Sequence, residues 1–191
     1  MSPYEAVGVS FGIVAVWLTT RQNVWCWPTG LVNVGVFTVV FYQVRLYADM
    51  GLQVVYVGLL VYGWHRWLHG GPGHGTLAVS RAPAGALAAL ALIGTAGAAL
   101  LGMALHRHTD AALPFWDSAT TSFSLVAQWM QARKWIETWI LWIAVDVVYV
   151  GIYLQRRLYA TAVLYAVFIA LALVGLVEWR RSLARAAAPS R

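Results

Sequence analysis

Apolar stretches close to twenty residues long recur along this chain, with Arg and Lys gathered in short clusters between them. At a rise of about 1.5 Å per residue, such a stretch crosses the hydrocarbon core of a bilayer as a helix that satisfies its own backbone. Only 10% of the 191 residues are charged and 61% are hydrophobic, whereas a soluble domain carries about 25% charged residues. The pattern predicts an all-α integral membrane protein of seven transmembrane helices, over 4–20, 24–43, 47–68, 84–105, 114–132, 135–154 and 158–179. They form a single transmembrane domain, 1–179, followed by a basic, Ala-rich and frayed tail, 180–191. The long connection from His69 to Pro83 carries Gly70, Gly71, Pro72, Gly73 and Gly75 and reads as a flexible loop. Met1 to Tyr4 lacks Lys and Arg, so the first apolar run reads as a span and not as a removable signal.

The formal charge of +6 does not point to nucleic acid, because the basic residues sit at the ends of apolar runs and form no stripe. They fit cytoplasmic loops and lipid headgroups instead. Counted on alternating sides, Arg21, Arg66, Arg81, Arg133, Lys134, Arg180, Arg181, Arg185 and Arg191 oppose Arg45, Arg107, Arg156 and Arg157, nine against four. The excess assigns the C-terminus to the cytoplasm and the N-terminus to the outside. A single cysteine, Cys26, excludes an intrachain disulfide.

An internal repeat is visible. Arg45-Leu46-Tyr47-Ala48 recurs as Arg157-Leu158-Tyr159-Ala160, and Gly63 and Trp67 recur as Gly175 and Trp179, all at one constant offset along the chain. Four spans separate the copies, so both run the same way through the membrane. The chain reads as two three-helix repeats, 4–68 and 114–179, joined by a linker helix, 84–105. Parallel repeats of this kind are a transporter architecture, with substrate near the midplane between the halves.

The sixth span carries the strongest chemical signal. Trp135, Trp139, Trp142, Asp146, Tyr149 and Tyr153 follow one another at spacings of 4, 3, 4, 3 and 4, one continuous stripe on a helix. A lone charge at the position of Asp146 costs at least about 2.5–3.5 kcal/mol, so it faces the bundle interior or water, or is protonated. A carboxylate among aromatic faces suits a flat polar or cationic heterocycle: tryptophan contributes about 0.5–2 kcal/mol per cation–π contact, and the carboxylate accepts hydroxyl or amide hydrogens. The competing reading is an aromatic packing face with Trp135 and Tyr153 in the interfacial belts.

Asn33 is central in the second span, where its alternative role is an interhelical hydrogen bond, and Gly30 and Phe37 share its face. Gln53 on the third span suits a carboxamide, and Ser122, Ser124 and Gln128 lie on the fifth. Asp117, Glu137 and Asp49 stand in first turns, where a carboxylate favours the helix dipole. Gly8 and Gly12 form a G-x-x-x-G pair suited to close helix packing. His65, His69 and His74 lead into the Gly-rich loop without Cys or carboxylate company, which reads as a solvated loop and no metal site. No phosphate-binding Gly-Lys motif is present, so ATP-driven pumping is unsupported, and no cofactor is expected.

The stretch Leu113-Pro-Phe-Trp-Asp-Ser118, with Arg133-Lys-Trp-Ile-Glu-Thr-Trp-Ile-Leu-Trp142 ending in Asp146, resembles the PnuC family of bacterial vitamin transporters. That family's Trp-x-x-Trp-x-x-x-Asn/Asp pattern matches Trp139, Trp142 and Asp146, while Gly30-Leu-Val-Asn33, Leu46-Tyr-Ala, Leu52-Gln53 and Tyr62-Gly-Trp64 look like its first half. The resemblance covers nearly the whole chain. It implies a three-one-three fold related to the SWEET sugar transporters, in the inner membrane, as a homo-oligomer that is often a trimer. It further implies facilitated diffusion of nicotinamide riboside, which a cytoplasmic kinase then traps. Trp139, Trp142 and Asp146, with Asn33 and Gln53, would line the central site, and Tyr149, Gln128 and Glu137 are further candidates for substrate binding. Relatives handle thiamine or riboflavin, and the sequence leaves that choice open.

The expected mechanism is a uniporter whose two halves rock around the site; a proton carried by Asp146 would make uptake follow the pH gradient. An intramembrane enzyme pairing Asp146 with Glu137 is disfavoured, because nine residues separate them, about 13.5 Å along a helix. A structural subunit, without any ligand, is the remaining class.

Overall fold

The computed structural model describes residues 3–43, 45, 47–109 and 113–187. These form seven long helices: α1 (Pro3–Thr20), α2 (Cys26–Gln43), α3 (Tyr47–His69), α4 (Ala84–His108), α5 (Pro114–Ala132), α6 (Thr138–Gln155) and α7 (Tyr159–Ala187), with a 3-10 turn at Pro72–His74. Among the described residues, Ala84–His108, Thr138–Gln155 and Tyr159–Ala186 are long and apolar enough to cross a membrane by length and composition, and Ala6–Thr20 is a shorter apolar helix. The apolar run of α5 is interrupted by Thr120, Thr121, Ser122, Ser124 and Gln128. Of the residues named above, Leu46, the side chains of Tyr47, Ala48 and Asp49, and the tail beyond Ala187 lie outside what is described.

Several helix bounds differ from the expectation: α2 begins at Cys26 and not at 24, α4 continues to His108 and not to 105, and the start of α6 and the end of α7 also move. α6 begins at Thr138, not at 135, because α5 ends in a left-handed turn at Lys134, φ 58°. The Trp135 amide closes that turn on the Met130 carbonyl at 3.1 Å, a bond reaching five residues back that satisfies the end of α5. α7 continues to Ala187, through what reads as a frayed tail, because buried Trp179 anchors its extension and Ala, Leu and Arg propagate it well.

The helix ends follow a regular spacing. Cys26 and Thr138 open α2 and α6, Gln43 and Gln155 close them, and Tyr47 and Tyr159 open α3 and α7, each pair at the offset of the sequence repeat. Left-handed Gln22 and Lys134, and left-handed Arg45 and Arg157, keep the same separation. The turn bonds follow suit: Asn23 N–H to Leu18 is matched by Trp135 N–H to Met130, and Arg45 N–H to Tyr42 by Arg157 N–H to Leu154.

Packing divides the chain into two compact units. The first holds the described residues of 1–79, 132–134 and 174–191. The centre of this unit is aromatic. The Trp27 ring is fully buried in the space left by the missing side chain of Gly63. Trp67 meets Trp27 edge-on at 5.2 Å and lies 5.9 Å from Trp179, whose indole N–H donates to the Thr19 carbonyl at 3.1 Å. Lys134 completes the cluster: its ammonium donates to the Leu77 carbonyl at 2.8 Å and sits 4.4 Å from the Trp67 ring centroid.

The second unit comprises the described residues of 80–131 and 135–173. Here α4 approaches α5 through Gly94 and Gly102, whose absent side chains make room for Phe123 and Phe115, and Ser122 donates to the Gly94 carbonyl at 2.9 Å. Thr138 at the start of α6 donates to the Ala127 carbonyl of α5 at 2.8 Å, which fixes this helical hairpin. The connection expected to be flexible is held at its far end: Ile136 N–H bonds to the Ser80 carbonyl at 3.0 Å, and Ala82 N–H to Glu137 Oε2 at 2.9 Å. Nearer α3, in the first unit, Leu77 N–H bonds to the Trp67 carbonyl at 3.0 Å.

Candidate functional site

The site is built from α6 upward. Its buried face holds Thr138, Trp139, Val145, Asp146 and Ile152, while Ile140, Val147 and Leu154 point away and are about half exposed. Trp139 and Asp146 are seven residues apart, two helical turns, so both fall on the buried face. Trp139 is 1% exposed and Asp146 5% exposed. Trp142 lies between them and donates its indole N–H to Gln131 Oε1 of α5 at 3.2 Å. That bond orients the ring by tying it to the neighbouring helix.

One turn beyond Asp146, Tyr149 places its hydroxyl within hydrogen-bonding reach of Thr120 and Ser124 of α5. Its ring stacks on Tyr153, with centroids 5.9 Å apart and planes 15° from parallel, and lies 4.6 Å from Tyr165 of α7. Tyr165 touches Tyr153 at 5.2 Å and Phe168 at 5.8 Å, and Asp146 is near enough to act on it electrostatically. Gln128 of α5 is buried, and its amide nitrogen finds no hydrogen-bond partner among the described residues. The unit thus presents a buried carboxylate, an uncommitted amide donor and several aromatic faces on α5, α6 and α7, a combination suited to a flat heterocycle bearing polar substituents.

Of the residues singled out from sequence, Trp139, Trp142, Asp146, Tyr149, Gln128 and Glu137 belong to this second unit. Glu137 precedes α6 without making a side-chain cap bond, and its carboxylate accepts from the Ala82 amide. Trp135 leaves the stripe: it stands in the turn before α6, its ring stacked 6.2 Å from Trp129. Asn33 and Gln53 belong to the first unit. Asn33 donates its amide to the Gly8 carbonyl of α1 at 2.7 Å, and Gln53 is half-buried on α3. Tyr165 is not marked by the periodicity of α6, but the offset of the repeat pairs it with Gln53.

Lys134 is the one buried cation in the turn between α5 and α6, outside the spans. Burial pushes its amine down to about 8. His69 turns its Nδ1 toward the His65 carbonyl at 3.2 Å, an ordinary helix-end contact. A shallow cleft of about 220 Å³, lined by Leu113, Trp116, Val148, Gly151, Ile152 and Gln155, includes Ile152 of the buried face but neither Trp139 nor Asp146.

A family model described as nicotinamide mononucleotide transporter matches residues 2–181. The nicotinamide riboside transporter PnuC of Escherichia coli is 29% identical over 207 residues, covering 95% of this chain and 87% of that protein. The riboflavin/roseoflavin transporter RibM of Streptomyces davaonensis is also 29% identical, over 184 residues, covering 92% of this chain and 83% of its own. Among solved structures, the crystal structure of the vitamin B3 transporter PnuC superposes with a TM-score of 0.74 at 22% identity, covering 95% of this chain and 82% of that one. At that identity the match establishes a shared fold.

Proposed function

Because the chain belongs to the nicotinamide mononucleotide transporter family, we propose that it carries nicotinamide riboside across a bacterial inner membrane by facilitated diffusion. The observation that carries this reading is the buried register of Trp139 and Asp146 on α6, with Trp142 between them. Stacking on indole and phenol rings holds the planar ring of such a substrate, and carboxylate and amide groups take its ribose hydroxyls and carboxamide. Tyr149 and Gln128 complete the polar lining, and by the family resemblance Asn33 and Gln53 are further candidates for substrate contact. Glu137 contributes by tying the connection at Ala82 to the start of α6. The chain catalyses no reaction in this reading. It is organised as two three-helix copies joined by α4, which the common offset of helix ends and left-handed turns supports. It works as a homo-oligomer, a trimer by resemblance, which native mass measurement in detergent tests.

Calorimetry on detergent-purified protein provides the first test. Nicotinamide riboside binds at micromolar concentration or tighter, and Asp146→Ala and Trp139→Ala abolish binding while the protein still inserts and folds. Unchanged affinity in both variants would remove these residues from the site. The similarity to RibM supports a second reading, a riboflavin carrier of the same fold. Binding of riboflavin in place of nicotinamide riboside would establish it.

A further inference from the structure

Asp146 raises a question of charge balance. Its side chain is 5% exposed, and among the described residues it has no ion-pair or hydrogen-bond partner. The nearest cations along its own helix stand at the ends, Lys134 before α6 and Arg156 after it. Arg156 is ten residues away, about 15 Å along the axis. Lys134 is engaged in the first unit with Leu77 and Trp67. Tyr165 of α7 lies within electrostatic reach of Asp146, and Tyr149 joins Thr120 and Ser124 of α5; the charged groups that act on this set of tyrosines are Asp117 of α5, a second carboxylate, and Arg156, which acts on Tyr153 from beyond the end of α6.

A carboxylate held this way gains little from a neutral ligand. A hydrogen bond from a hydroxyl or amide leaves its charge uncompensated in a medium where an unpaired charge is costly. A permanent cation answers both halves of the problem, because the carboxylate supplies the opposite charge and the aromatic rings supply cation–π contact. An N-glycosylated pyridinium is such a cation, as is a thiazolium; an isoalloxazine and a dihydropyridine are neutral rings of comparable flatness.

We propose that Asp146 is the counter-ion of a cationic heterocycle and makes this site select a positively charged vitamin precursor over a neutral ring of the same shape. The inference rests on the reading of α6 as part of the substrate site, but not on which vitamin is carried.

The test uses the intact protein in detergent and four ligands: nicotinamide riboside, its neutral dihydro form, thiamine and riboflavin. The expected result is at least about tenfold tighter binding of oxidised than of reduced riboside by the wild type. Asp146→Asn keeps the shape and removes the charge, so it weakens the cation by a similar factor and the neutral form by clearly less. The wild-type comparison requires no variant, so a variant that fails to fold does not spoil it. Equal binding of the two ribosides, an equal loss of both in Asp146→Asn, preferential binding of riboflavin, or failure to bind either cation overturns the inference. Binding of thiamine alone, with the same loss in Asp146→Asn, keeps the charge selection and overturns nicotinamide riboside as the cargo.

Discussion

Trp27 and Gly63 meet so closely that a methyl group on Gly63 would overlap the indole ring. Gly63→Ala therefore overpacks the aromatic centre of the first unit and costs about 1–3 kcal/mol, read as a lower melting midpoint in detergent. An unchanged midpoint would mean that Trp27 has room to move. Lys134 gives a pH signature at the same scale. Burial lowers its amine from 10.5 to about 8, so between those values the unfolded chain holds a proton that the folded protein has released. Its contribution to stability accordingly rises with pH across that window, by at most about 3 kcal/mol. Compared with Lys134→Met, the wild type should gain melting temperature between about pH 8 and 10. Parallel behaviour of the two proteins would show that the buried ammonium is not strained.

At the scale of elements, the turn between α5 and α6 decides most. Periodicity puts Trp139 and Asp146 on one face of α6, and both are buried there, because an apolar helix in contact with its neighbours sorts residues by face. It carries the helix start wrongly, because Trp135 happens to fall four residues before Trp139 and nothing in the sequence signals a left-handed Lys134 where glycine is usual. The extended end of α7 was hidden for a related reason: Arg-rich sequence reads as solvated until Trp179 is seen against Thr19. The Gly-rich connection reads as loose because its restraints come from distant positions, including Glu137. Glu137→Ala should speed amide exchange at Ala82, with a loss of about 1.5–3 kcal/mol for a hydrogen bond to a charged group. Glu137→Gln should restore much of that protection; equal exchange in all three proteins would show that the amide is held otherwise. Tyr165 was beyond periodicity, since it lies on another helix from Asp146 and joins its surroundings only through the packing of α6 on α7.

For the whole molecule, the arrangement of basic residues predicts a topology: nine Arg and Lys on the side of the C-terminus against four on the other. In a Cys26→Ser background, a cysteine replacing Arg107 should react with an impermeant thiol reagent on intact cells, and one replacing Arg185 only after the membrane is opened. The reverse pattern would invert the orientation. The constant offset that relates the ends of α2 and α6 and the starts of α3 and α7 also hands the experimenter a built-in control. Trp27 and Trp139 are related by that offset, each second in its helix and buried, one against Gly63 in an aromatic cluster and the other on the face that carries Asp146. The same replacement made at both yields two proteins matched in chemistry and helix position, so a difference between them isolates what ligand binding asks of an indole from what folding asks of it.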